Sequence, residues 1–89
     1  MSKKRFNYIF SGDVQAVGFR YTASRLANQL CITGWVRNLY DGTVEMEAQG
    51  FSSDLAMLLR ELQEDLYIRI DYIESNEIPL IDEKSFQIK

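Results

Sequence analysis

The residues of this chain best suited to chemistry lie in Gly12-Asp13-Val14-Gln15-Ala16-Val17-Gly18-Phe19-Arg20. The stretch runs from the end of a strand-like segment, through a tight turn, into a helix with an arginine in its first turn. A helix start carries backbone N–H groups without intrahelical partners, together with the positive end of the helix dipole. Arg20 adds a planar guanidinium fork shaped for phosphate or carboxylate oxygens. The segment therefore reads as an anion cradle. Asn38 follows at the end of Gly34-Trp35-Val36-Arg37-Asn38. Period 2 along that strand puts Val36 and Asn38 on one face, with Trp35, Arg37 and Leu39 on the other. Arg37 is thus expected on a solvated face, away from the anion. Taken singly, a helix-start arginine is usually solvated or ion-paired, and an asparagine before Asp-Gly is usually turn chemistry.

The elements that must position these residues follow from periodicity. Arg5 to Ser11 reads as a strand, with Phe6, Tyr8 and Phe10 alternating with Asn7, Ile9 and Ser11. From Phe19 the spacing of Phe19, Ala23, Leu26 and Leu30 is helical, and Thr33-Gly34 is read as the exit. Cys31 falls late in this pattern and is expected to be a small buried group. Trp35 to Leu39 reads as a second strand, followed by a turn at Tyr40-Asp41-Gly42. In Thr43 to Gln49, Val44, Met46 and Ala48 alternate with Glu45, Glu47 and Gln49. That pattern predicts a sheet covered on one face and wet on the other, as suits antiparallel pairing. Gly50 is read as the strand's stop. Ser52 or Ser53 is a candidate cap for a second helix, with Asp54 in its first turn and a buried stripe of Leu55, Leu58, Leu59, Leu62 and Leu66. Arg69 to Ile73 reads as a fourth strand. Ser75 to Lys84, with the chain's one proline, reads as a loop, and Ser85 to Lys89 as a short last strand. The order β-α-β-β-α-β predicts an α+β, ferredoxin-like sandwich. It has a mostly antiparallel sheet, two helices on one face and a short extra C-terminal strand.

Composition narrows the classes. Eighty-nine residues, 46% of them hydrophobic, suit a single folded domain over 1–89 rather than a disordered chain. A net charge of −3 argues against a general nucleic-acid partner, although a local positive field can still hold an anion. The run Lys3-Lys4-Arg5 reads as solvated. One cysteine leaves no internal disulfide or multi-cysteine metal cluster, and the absence of histidine removes the commonest general base and metal ligand. No segment reaches the ~18 apolar residues of a membrane span. A cytoplasmic, monomeric protein without metal or cofactor is expected.

The two motifs together resemble those of the acylphosphatase family, G-x-V-Q-G-V-x-F-R followed by G-x-V-x-N. Every defined position is met except that Ala16 stands at a glycine. The likeness extends through Asp41-Gly42-Thr43-Val44-Glu45 to Phe86-Gln87-Ile88, and so over nearly the whole chain. The resemblance implies hydrolysis of a small-molecule acyl phosphate to a carboxylate and inorganic phosphate. Gln15, Ala16, Val17, Gly18, Phe19 and Arg20 would bind the phosphoryl group, and Arg20 and Asn38 would be catalytic, Asn38 by holding the attacking water. Such a reaction depends on positioning and electrostatics, and a carboxylate leaves without strong acid catalysis. The alternative is a catalytically weak phosphate- or anion-binding module on the same fold, which follows if Ala16 misplaces the loop amides. A nucleic-acid or metal-carrier domain fits less well, lacking a basic aromatic sheet surface and a Cys-x-x-Cys pair. Two further departures stand out: Asp13 puts a negative charge beside the loop, and the second helix runs into Glu64-Asp65-Leu66-Tyr67 without the family's Gly-Pro exit.

Overall fold

Alternation of apolar and polar residues builds most of the sheet, and two amphipathic helices cover one side of it. The computed structural model describes residues 2–89. In chain order it contains β1 (Lys3–Asp13), α1 (Phe19–Gln29), β2 (Thr33–Asn38), β3 (Val44–Phe51), α2 (Ser52–Glu64), β4 (Arg69–Ile78) and β5 (Phe86–Ile88). The five strands lie in the order β4-β1-β3-β2-β5. Every neighbouring pair is antiparallel except β2 with β5. The architecture is the expected βαββαβ sandwich with an extra C-terminal strand.

The register explains the core. Phe6, Tyr8 and Phe10 stand opposite Ala48, Met46 and Val44, so one face of β1 and β3 is continuous and apolar. Phe19, Ala23, Leu26 and Ala27 of α1 and Leu55, Leu58 and Leu62 of α2 bury against that face. Phe10 and Phe19 pack with ring centroids 4.9 Å apart, which ties the start of α1 to β1.

Several expectations need correction. Cys31, expected to be buried, is exposed and has φ 56°. The helix exit lies there rather than at Thr33-Gly34. Ile32 N–H donates to Ala27 O at 2.8 Å and Cys31 N–H to Asn28 O at 3.4 Å, the paired bonds of a Schellman end with a cysteine where glycine is usual. Thr33 and Gly34 already belong to β2. Gly50 does not stop β3, which continues to Phe51, and neither Ser52 nor Ser53 caps α2, whose N-cap is Phe51. Leu66 lies beyond α2 and is exposed, so the buried stripe ends at Leu62. β4 runs on through Ser75 and Asn76 to Ile78, because β1 supplies a partner for each of these residues.

Arg5 is the largest departure. Expected in a solvated basic run, it is 1% exposed. It lies on the polar face of the sheet, where Glu47 accepts at 2.9 Å and Glu83 at 2.7 Å. Glu83 belongs to the 79–84 crossover, which passes over this face between β4 and β5. Gln49 pins the same segment by accepting from Ile81 N–H at 3.0 Å and donating to Ile81 O at 2.9 Å. Burial works against the Arg5 charge, but hydrogen bonds and charge from Glu83 and Glu47 outweigh it and hold the guanidinium's pKa above its ordinary value.

Candidate active site

The site is built where β1 hands over to α1. A bulge between Ser11 and Gly12 bends the end of β1. Gly12 has φ 131°, and a Cβ there would run into the Arg69 carbonyl oxygen, so the bend requires glycine. Asp13 is exposed, stands opposite Arg69 in the ladder and does not line the cavity described below. Val14 then buries completely and anchors the near end of the loop. Phe19 buries at the far end, leaving Gln15 to Gly18 as a short bridge between two anchors.

Left-handed backbone shapes that bridge. Ala16 has φ 61° and Gly18, the N-cap of α1, has φ 79°. The first turn of α1 has no side-chain cap and no acidic residue, so its N–H groups stay available and the positive end of the helix is not neutralised. The Gln15 side chain turns away from the cavity. Its amide donates to Leu39 O at 2.7 Å and to Thr43 O at 2.8 Å, stapling the loop to both arms of the β2–β3 hairpin. That staple sets the distance between the loop and Asn38, which ends β2.

Val14, Ala16, Gly18, Phe19, Arg20, Tyr21, Asn38 and Ile88 enclose a cavity of about 250 Å³. Of the residues expected from sequence, Ala16, Gly18, Phe19, Arg20 and Asn38 meet here, whereas Gln15 and Val17 do not line it. Val14, Tyr21 and Ile88 were not anticipated. Ile88 was within reach, because alternation from the buried Phe86 places it on the same face of β5. The Arg20 guanidinium donates to the main-chain oxygen of Lys89 at 3.2 Å. That contact ties it to the end of β5, which Lys89 N–H extends by donating to Val36 O at 2.8 Å. Among the described residues the Asn38 side chain makes no hydrogen bond, so its amide is available as both donor and acceptor. Arg37 faces the other way, pairing with Glu45 at 2.7 Å and lying 5.2 Å from the Trp35 ring centroid.

The lining contains a guanidinium, helix-start amides and a carboxamide, with no carboxylate. Such a set suits an oxyanion with several oxygens. Among the described residues no group of three or more His, Cys, Asp or Glu side chains gathers as a metal site.

Comparison with known proteins gives the family. The family model described as Acylphosphatase matches residues 6–88. The chain belongs to the acylphosphatase family. An acylphosphatase from Clostridium beijerinckii is 38% identical over 87 residues, which cover 96% of this chain and 97% of that relative. The solved acylphosphatase from Coxiella burnetii superposes with a TM-score of 0.90 at 31% identity, covering 98% of this chain and 93% of its own. That from Bacillus subtilis also gives 0.90, at 30% identity, covering 97% and 98%. Acylphosphatases are acid-anhydride hydrolases, and hydrolysis of acyl phosphates is the family's function.

Proposed function

We propose that this chain hydrolyses acyl phosphates in the cavity between the Gln15–Arg20 loop and Asn38, with Arg20 and Asn38 in separate roles. The observation that carries the assignment is that Arg20, Asn38 and the uncapped start of α1 line one cavity. Main-chain N–H groups of the loop and the first helical turn, together with the Arg20 fork, bind the phosphoryl oxygens. Asn38 holds a water in line with the bond from phosphorus to the bridging oxygen. Water adds to phosphorus, the bridging P–O bond breaks, and R-CO-O⁻ leaves with the bonding pair. Asparagine is no base at neutral pH, so the proton stays with the phosphate product: R-CO-OPO₃²⁻ and H₂O give R-COO⁻ and H₂PO₄⁻. Val14, Tyr21 and Ile88 offer an apolar side to the acyl group. Ala16 holds the left-handed conformation that glycine would take, which supports a working loop rather than a weak anion-binding module. We further propose that residues 1–89 act as one domain, as a cytoplasmic monomer that needs no cofactor, metal or nucleic acid.

The test is benzoyl phosphate hydrolysis with a chelator present. Asn38→Ala is expected to lower kcat by a factor on the order of 10²–10³ with phosphate inhibition retained. Arg20→Ala is expected to lose both turnover and competitive inhibition by inorganic phosphate. Full activity in Asn38→Ala would remove that residue from the mechanism.

A further inference from the structure

A second cavity lies on the helix side of the sheet, toward the β4 edge, and shares no lining residue with the Arg20 cavity. About 320 Å³ in volume, it is bounded by Phe6 and Tyr8 of β1, Ser75 of β4, and Ser52, Leu55, Ala56 and Leu59 of α2, with Lys4 at its mouth. Its origin is local. Ser75, small and opposite Tyr8 in the ladder, and Ala56 on the facing helix leave space that larger side chains would fill.

Two of its features point to a ligand. Phe6 and Tyr8 stack with centroids 5.8 Å apart and, with Leu55, Ala56 and Leu59, form an apolar floor and wall. Tyr8 is 3% exposed, yet among the described residues its hydroxyl makes no hydrogen bond. Among the described residues no fully buried side-chain nitrogen or oxygen is left unpaired, so this hydroxyl keeps a small exposure, and Tyr8 lines the cavity. Burial pushes the phenol up to about 12, so it stays protonated and able to donate at any working pH. The other polar groups lining the cavity are the Lys4 ammonium, the Ser75 hydroxyl on β4 and the hydroxyl of Ser52 at the uncapped start of α2. No carboxylate lines the cavity. Glu77 stands opposite Phe6 in the ladder but is exposed and outside the lining, and it makes no ion pair with Lys4.

The geometry points to a second ligand site between α2 and the β1–β4 edge, taking a small amphiphilic carboxylate whose chain rests on Phe6 and Leu59 and whose head meets Lys4 and the Tyr8 hydroxyl. The apolar volume, and a polar set of one ammonium and three hydroxyls with no carboxylate, call for those two halves together.

Sodium octanoate titrated into ¹⁵N-labelled protein tests the site. Saturable amide shifts are expected at Phe6, Tyr8, Leu55 and Ser75, with a Kd on the order of 1 mM or tighter. Ala56→Trp, a change on an exposed helix position that fills the cavity, is expected to abolish them while benzoyl phosphate hydrolysis continues. Lys4→Met and Tyr8→Phe are each expected to weaken binding by about fivefold, the worth of one exposed charge or hydrogen-bond contact. Shifts confined to the surroundings of Arg20 and Asn38, or no saturation by ~10 mM, overturn the site. Binding unaffected by Lys4→Met and Tyr8→Phe overturns the carboxylate assignment and leaves only an apolar patch. Because those two substitutions leave the helices untouched, the proposal stays testable if Ala56→Trp misfolds.

Discussion

Ala16 holds a left-handed backbone at φ 61°, a conformation that costs a residue with a Cβ about 1–2 kcal/mol. The Gln15 and Phe19 contacts on either side impose it, because only four residues join Val14 to Phe19 while both of these stay buried. Glycine would relieve the strain but would also loosen the unfolded chain, and the two effects oppose each other. The expected net result of Ala16→Gly is a gain of about 0.5–1 kcal/mol in a urea unfolding curve. Because the alanine already has the required dihedral, kcat for benzoyl phosphate should stay near wild type. A large rise in kcat would instead mean that the methyl group distorts the amides. Gln15 shows a different limit of single-residue reasoning. Its motif position suggested contact with phosphate through the loop's amides, but nothing local could reveal that its side chain reaches Leu39 and Thr43, more than twenty residues away.

At the scale of elements, legibility followed the source of each element's stability. β1, β3 and α1 carry their own signal, since Phe6-Tyr8-Phe10, Val44-Met46-Ala48 and Phe19-Ala23-Leu26 bury with the period they display. β4 does not. Its second half, Glu74 to Ile78, is polar and largely exposed, and it is a strand because β1 extends far enough to pair with it. The same reasoning explains Arg5. A basic run is solvated unless carboxylates from distant segments converge on it, and Glu47 and Glu83 do so from positions 42 and 78 residues away. Within the site, Arg20 and Asn38 were legible from motif spacing, whereas Tyr21 entered the lining only through the angle at which α1 leaves the loop. The Arg5 cluster yields a prediction about the crossover. Arg5→Met leaves two partly buried carboxylates facing each other, and a loss of about 3 kcal/mol is expected at neutral pH. Adding Glu47→Gln and Glu83→Gln should restore most of it, because three neutral groups of similar size replace an uncompensated pair. Urea curves of the single and triple variants check this. If the single variant loses no more than an exposed ion pair is worth, the cluster does not hold the 79–84 segment.

Across the whole molecule, the sheet separates an apolar face from a charged one. The helix side of the sheet carries the core, while the other side carries a lattice of Asn7, Glu45, Glu47 and Arg37 joined across three strands, with the Arg37 and Lys89 charges both near the Trp35 ring. The free edge strand β4 bears Arg69, Asp71, Glu74 and Glu77, charges that discourage pairing with another chain. The lattice makes stability depend on pH through Glu45. Burial raises the Glu45 carboxyl, but hydrogen bonds from Asn7 and Arg37 and the charges of Arg37 and Lys89 outweigh it and leave its pKa below the ordinary glutamate value of 4.5. A carboxylate depressed in the folded state contributes stability above its unfolded pKa. It loses that contribution as pH falls through the folded value, because the unfolded chain takes up the proton first. Glu45→Gln should therefore be less stable than wild type at pH 7 by about 1 kcal/mol, a size limited by the half-exposed Arg37 partner. The gap should close as pH drops from 4.5 toward 2, and it should shrink in 1 M salt as the Arg37 and Lys89 charges are screened. Thermal unfolding of both proteins across that range decides the matter. A gap that persists unchanged at pH 2 would assign the effect to packing of the side chain rather than to its charge.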